Sequence, residues 1–186
     1  DRLEDQAKVT ALVDSEGNEL AALEAGQKGV VVLDRTPFYG ESGGQVGDTG
    51  YLYVDGGRFQ VTDTQKQSGH HLHQGIMVKG SLSVGASVRG EVDASLRTAT
   101  IRNHSATHLL HAALREQLGT HVKQAGSLVA PDRLRFDFAH GGPIGRAELD
   151  AIERQVNAYI YANALVDTEV RSTQDAIDAG ATALFG

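Results

Sequence analysis

The chain has 186 residues, of which 17 are Lys or Arg and 24 are Asp or Glu, giving a net charge of −7, with 40% hydrophobic and 22% charged residues. This is ordinary globular usage, long enough for one large domain or two small ones, and no apolar run approaches the roughly 20 residues of a membrane helix. The acidic balance argues against a generic polyanion binder, DNA included, because sequence-independent nucleic-acid affinity comes from clustered Lys and Arg. Zero cysteine excludes disulfides and any complete Cys-containing metal site within the chain. The opening Asp1-Arg2-Leu3-Glu4-Asp5 has neither the basic start nor the apolar stretch of a secretory signal, so a cytoplasmic setting is the expectation.

From Ala7 to about Asp93 the chain reads as short β-rich runs: Ala7 to Val13, Lys28 to Arg35, Tyr51 to Val54, Arg58 to Thr64, His70 to Val78 and Ser87 to Asp93. Their close spacing predicts a small barrel or sandwich. Glu16-Gly17-Asn18, Asp55-Gly56-Gly57 and Lys79-Gly80-Ser81 supply the turns. After Asp93 the period changes, and 103–118 reads as a helix stopped by Gly119. Two strands follow, Val122 to Val129 and Leu134 to Phe138, joined by Ala130-Pro131-Asp132-Arg133. Leu149, Ile152, Val156, Tyr159 and Ile160 then recur at helical spacing across about Arg146 to Asn163. A strand over Val166 to Arg171 and a short helix over Thr173 to Ala179 come last. The expected division is a β-barrel over 1–93 and a second, α+β unit over 94–186.

Three stretches could carry chemistry. In His104-Ser105-Ala106-Thr107-His108 the two histidines sit at i and i+4, a spacing that lets both rings reach one zinc ion. His104, His108 and His111 share a sector of about 60°, apart from the apolar sector of Ala106, Leu110, Ala113 and Leu114. On spacing alone, such a group is more often a solvated helix face. Zinc also wants four ligands, and His111, His121, His140 and the His70/His71/His73 cluster supply no second recognisable pair. The second stretch, 40–50, has five glycines in eleven residues, a density that lets backbone approach a ligand but that is more commonly a hairpin or bulge at a barrel rim. It lacks the lysine and the strand-turn-helix setting of a phosphate loop. The third, Thr120 to Ser127 with Gln124, is on spacing alone a polar loop leading into a strand. No Gly-x-Ser-x-Gly elbow and no cysteine nucleophile is present, so hydrolysis by a positioned water is the simpler enzymatic option.

Taken together, two long segments resemble one family. Leu33-Asp34-Arg35-Thr36-Pro37-Phe38-Tyr39-Gly40-Glu41-Ser42-Gly43-Gly44-Gln45-Val46-Gly47-Asp48 is similar to the glycine-rich motif of alanyl-tRNA synthetases. The run from Arg102 to Arg115, with Leu118-Gly119-Thr120-His121-Val122 and Gly126-Ser127-Leu128, resembles the editing core of the same family, shared with the free-standing AlaX proteins and threonyl-tRNA synthetase. The resemblance implies an α+β fold: a small N-terminal translation-factor-like β-barrel, then an editing domain of the threonyl/alanyl type, truncated at its C-terminal side. The implied reaction is hydrolysis of serine or glycine from mischarged alanine-specific tRNA. A pocket built for alanine cannot strongly reject smaller glycine or an analogue that merely adds a hydroxyl, so a second, hydrolytic site is needed.

By the same resemblance, His104 and His108 match two zinc ligands, Thr107 and Gln124 match pocket residues that recognise the misplaced amino acid or orient its ester, and Gly43, Gly44 and Gln45 match the barrel loop facing that pocket. The family completes its zinc site with a downstream Cys-Gly-Gly-Thr-His-like element that this chain lacks. The expectation is half a zinc site and weak or no hydrolysis by the chain itself, with ATP and Mg2+ needed only by an aminoacylation domain outside it. Two alternatives are a free-standing deacylase acting in trans and a noncatalytic RNA- or protein-binding module.

Overall fold

A computed structural model describes residues 2–167 and 169–181, and the chain divides into two compact units. The first comprises residues 1–104 and 128–134, the second 105–127 and 135–186.

The first unit is built on a closed barrel of six antiparallel strands. They are β1 (Glu4–Val13), β3 (Lys28–Leu33), β6 (His70–Lys79), β5 (Gly57–Gln67), β4 (Gly50–Val54) and β8 (Ser87–Val92), in that order around the wall. The ring closes through β1 against β8, where Ala7 faces Val88. Closure leaves no strand edge unpaired, and alternation does the sorting. Leu52 is fully buried between half-buried Tyr51 and Tyr53, and Phe59 and Val61 are buried around the half-buried Gln60. The two tyrosines carry arginines over their outer faces, Arg58 at 4.9 Å and Arg89 at 4.6 Å. Two strands absent from the sequence reading, β2 (Ala22–Glu24) and β7 (Ser81–Ser83), pair as a separate ribbon and deliver Leu23 and Leu82 to the same core. At three residues each, they are too short to show a period.

Helix α1 (Ala94–Leu118) starts nine residues before the helix expected from the sequence. Asp93, read there as the end of a strand, is its N-cap: Oδ1 accepts from the Ser95 and Leu96 N–H groups, each at 3.0 Å. Those donors hold the Asp93 carboxyl below the usual carboxylate range. Thr98 and Thr100 obscured this first stretch, being poor helix formers, but their hydroxyls bond back to the Ala94 and Leu96 carbonyls at 2.7 and 2.9 Å. Gly119, with φ of +114°, ends the helix as expected.

In the second unit, Ala113 and Leu114 of α1 pack with Val122 and with Ile152 of α2 (Arg146–Ala162). Strands β9 (Gln124–Val129) and β10 (Leu134–Phe138) form a two-stranded sheet whose Phe136 and Phe138 line that core. Asn163 caps α2 in the left-handed region, and Ser172 caps α3 (Thr173–Asp178). The strand expected over Val166–Arg171 is not formed at any described residue, Thr168 lying outside them. Its apolar residues are the right type, but a strand needs a ladder partner, and Val166 and Val170 are at least nine-tenths exposed. No described helix is long and apolar enough to cross a membrane.

One buried polar chain pins the start of the glycine-rich segment to the barrel. His73, on β6, is fully buried; its Nδ1 lies 2.9 Å from the Val31 carbonyl and its Nε2 2.7 Å from Thr36 Oγ1. The carbonyl can only accept, so Nδ1 carries the proton and Nε2 accepts from the Thr36 hydroxyl, which in turn accepts the Phe38 N–H at 3.1 Å. Burial pushes the imidazole down to about 4, against the opposing pull of the Val31 carbonyl. The unfolded chain therefore binds a proton near pH 6.5 that the folded chain refuses until about pH 4, and stability falls with pH across that window. Urea unfolding of the wild type and of His73→Asn from pH 7.5 to 4 should show the wild type's advantage shrinking by about 3 kcal/mol, on the order of 1.4 kcal/mol per pH unit crossed. A constant difference would show that His73 is not buried neutral.

Candidate functional site

The glycine-rich segment crosses the first unit as a strapped loop. Ser42 and Gln45 exchange backbone hydrogen bonds of 3.2 and 3.0 Å around Gly43 and Gly44, whose φ angles of +59° and +83° are the left-handed conformations that glycine adopts without strain. The Tyr39 hydroxyl donates to the Ser42 carbonyl at 3.1 Å. On one side, the Val129 N–H donates to the Gly44 carbonyl and the Val46 N–H to the Val129 carbonyl, at 2.7 and 3.0 Å. On the other, the Glu41 N–H donates to the Thr64 carbonyl, and the Thr64 hydroxyl donates to the Asp48 carbonyl, both at 2.8 Å. A Cβ at Gly47 would stand 2.1 Å from that same Thr64 carbonyl oxygen, so the strap closes only over glycine. The segment is thus a rim loop and also a rigid mount.

Beneath it lies an ion pair that no motif announces. Arg97, on the first turn of α1, and Asp48 are only 9% and 6% exposed. The guanidinium Nε lies 2.9 and 3.0 Å from the two carboxylate oxygens, and Nη2 also donates to Oδ2 and, at 2.9 Å, to the Pro37 carbonyl. Asp48 Oδ2 accepts the Tyr39 N–H at 2.6 Å as well. Both ends of the loop, Pro37 to Tyr39 and Asp48, are therefore fixed to one arginine.

Of the residues singled out from the sequence, Gln45 and His104 meet. Gln45 is 6% exposed, and its Oε1 lies 2.6 Å from Nδ1 of half-buried His104. Next to His104, Asn103 donates to the Ala130 carbonyl at 2.7 Å, fixing this part of α1 against the Ala130-Pro131 turn. In the second unit, Thr107 is buried, His108 is exposed one turn beyond His104, and Gln124 donates to Ser127 Oγ at 3.1 Å.

His111 departs from the face expected for it. It is buried, with Nε2 3.4 Å from the Val122 carbonyl and its ring 5.0 Å from Phe136, so it belongs to the core and not to a solvated histidine face. His121 and His140 do form a second pair: Nε2 and Nδ1 are 2.9 Å apart and the rings stack at 5.2 Å. Nineteen residues of separation hid it from any motif. Among the described residues, no group of three or more His, Cys, Asp or Glu is placed to hold a metal ion.

The profile of the class II (A) tRNA synthetases matches residues 1–96, just over half of the chain. The chain belongs to that family. It is 69% identical, over its whole length, to the alanine–tRNA ligase of Chromohalobacter salexigens, of which it covers 21%. It is 56% identical to the Pseudomonas fluorescens ligase over 97% of the chain and 55% identical to that of Acidithiobacillus ferridurans over 98%, covering 20% and 21% of those proteins. The chain thus spans about a fifth of the length of these relatives.

Replacing Arg97 by Met should strand the Asp48 carboxylate in the interior and cost about 3–5 kcal/mol in urea unfolding. A loss below about 1 kcal/mol would mean that water already reaches and solvates the pair.

Proposed function

We propose that this chain is the editing portion of an alanine–tRNA ligase, acting on the ester that joins serine or glycine to alanine-specific tRNA. The observation that carries the reading is the hydrogen bond between Gln45 and His104. It unites two motifs that lie 59 residues apart and were singled out separately, within a chain matched from end to end by alanine–tRNA ligases. Thr107 and Gln124 are the polar residues suited to recognise the misplaced amino acid's hydroxyl or to orient the ester, and Gly43 and Gly44 present backbone at the loop tip. When bound, zinc would be held in part by His104 and His108 and would supply Lewis acidity or substrate positioning. With no cysteine in the chain, that sphere stays open, so the chain alone binds zinc weakly and edits slowly. Aminoacylation, with its ATP and Mg2+, belongs to other parts of the proposed ligase, and the partner is tRNA rather than DNA or a membrane.

The test is deacylation of serine-charged alanine-specific tRNA by the 186-residue chain and by a form extended through a downstream Cys/His element, with metal content measured on both. The extended form should be active and hold one zinc, the short form neither. Stoichiometric zinc with brisk deacylation in the short form would overturn the half-site, and an inert, zinc-loaded extended form would overturn the editing reading. In the extended form, Gln124→Ala and Thr107→Val should each slow deacylation about tenfold to hundredfold while leaving zinc bound, as expected for lost positioning contacts.

A further inference from the structure

We infer that Gln45 is a positioning residue for His104: its side-chain carbonyl holds the imidazole in the tautomer protonated at Nδ1, which puts the ring's lone pair on Nε2. A neutral imidazole has one N–H and one bare nitrogen, and the hydrogen bond made by one nitrogen decides which is which. Gln45 presents Oε1 to Nδ1 at 2.6 Å, and an amide oxygen only accepts. The proton of neutral His104 therefore sits on Nδ1. An isolated histidine prefers the opposite arrangement, with the proton on Nε2, so the protein has to impose this one. It has the means to do so.

Gln45 cannot swing away, because it is 6% exposed and its backbone is tied to Ser42 on both its N–H and its carbonyl. Its neighbours Gly44 and Val46 are bonded to Val129, and the ends of the loop are clamped through Asp48 to Arg97. On the histidine side, Asn103 anchors the adjacent residue to the Ala130 carbonyl. The acceptor and the ring are thus each mounted on rigid backbone, the arrangement by which an outer residue orients a metal-ligating or proton-accepting imidazole. The glycine-rich loop then has a second task besides presenting backbone at its tip: it sets the chemistry of a histidine 59 positions away.

The inference deepens the editing reading and rests on it for its purpose, but it is measured without substrate or metal. Two-bond 1H–15N spectra of the 186-residue chain at pH 8.5 report the tautomer of each neutral histidine, with His104 assigned by its loss in His104→Asn. The expected result is a ratio of at least about tenfold favouring Nδ1–H, since the other tautomer would leave a buried carbonyl facing a bare nitrogen. In Gln45→Met, which keeps the length but removes the acceptor, the ratio should fall to or below unity. In Gln45→Glu, which keeps an acceptor oxygen, Nδ1–H should persist. A wild-type ring found mainly as Nε2–H, or a Gln45→Met ring that keeps Nδ1–H, overturns the inference. If Gln45→Met fails to fold, loss of Nδ1–H in Gln45→Glu overturns it equally. Imposed Nδ1–H in a chain whose extended, zinc-loaded form does not deacylate would refute the editing reading and leave the positioning role standing.

Discussion

A guanidinium buried to 9% exposure persists only where its charge and its N–H groups are answered, and Asp48 with the Pro37 carbonyl answers Arg97. The rest of the first unit's candidate site hangs from that pair. Asp48 also takes the Tyr39 N–H, so both ends of a loop rich in glycine, and hence entropically costly to order, are held at one point. Between those ends, Thr64 straps the loop to β5 and Val129 bonds its tip. Replacing a buried ion pair by apolar residues is often neutral for stability. The pair's contribution is better understood as fixing one loop conformation.

That conformation matters because it delivers a single amide oxygen to a single ring nitrogen. His104 and Gln45 would be an unremarkable surface contact on a mobile loop; on two anchored backbones they become a fixed donor and acceptor with defined protonation. The histidine inventory shows the same selection by surroundings. His73 is neutral and structural in the barrel, His111 is core, His121 and His140 are hydrogen-bonded to each other, and His104 faces the Gln45 carbonyl. These histidines thus take distinct chemical roles by burial and partner alone.

Family membership fits this economy. The chain covers about a fifth of its relatives' length and holds a closed barrel and a small second core.

The barrel strands, the glycine turns, the stop at Gly119 and the β9–β10 hairpin were legible from the sequence because each is governed by local rules: alternation, left-handed glycine and turn chemistry. The start of α1 was not, since Thr98 and Thr100 depress helix propensity and Asp93 looks the same at the end of a strand as at a cap. The strand expected at Val166–Arg171 had the right residues but no partner among those described, and pairing is not a local property. The family resemblance of the motifs, and not their spacing alone, singled out His104, His108, Thr107, Gln124 and the Gly43-Gly44-Gln45 loop. The burial of His111, the Arg97–Asp48 clamp and the bond between Gln45 and His104 were decided by tertiary structure alone, because each joins residues whose meeting depends on how a closed sheet and a helix bring distant backbone together.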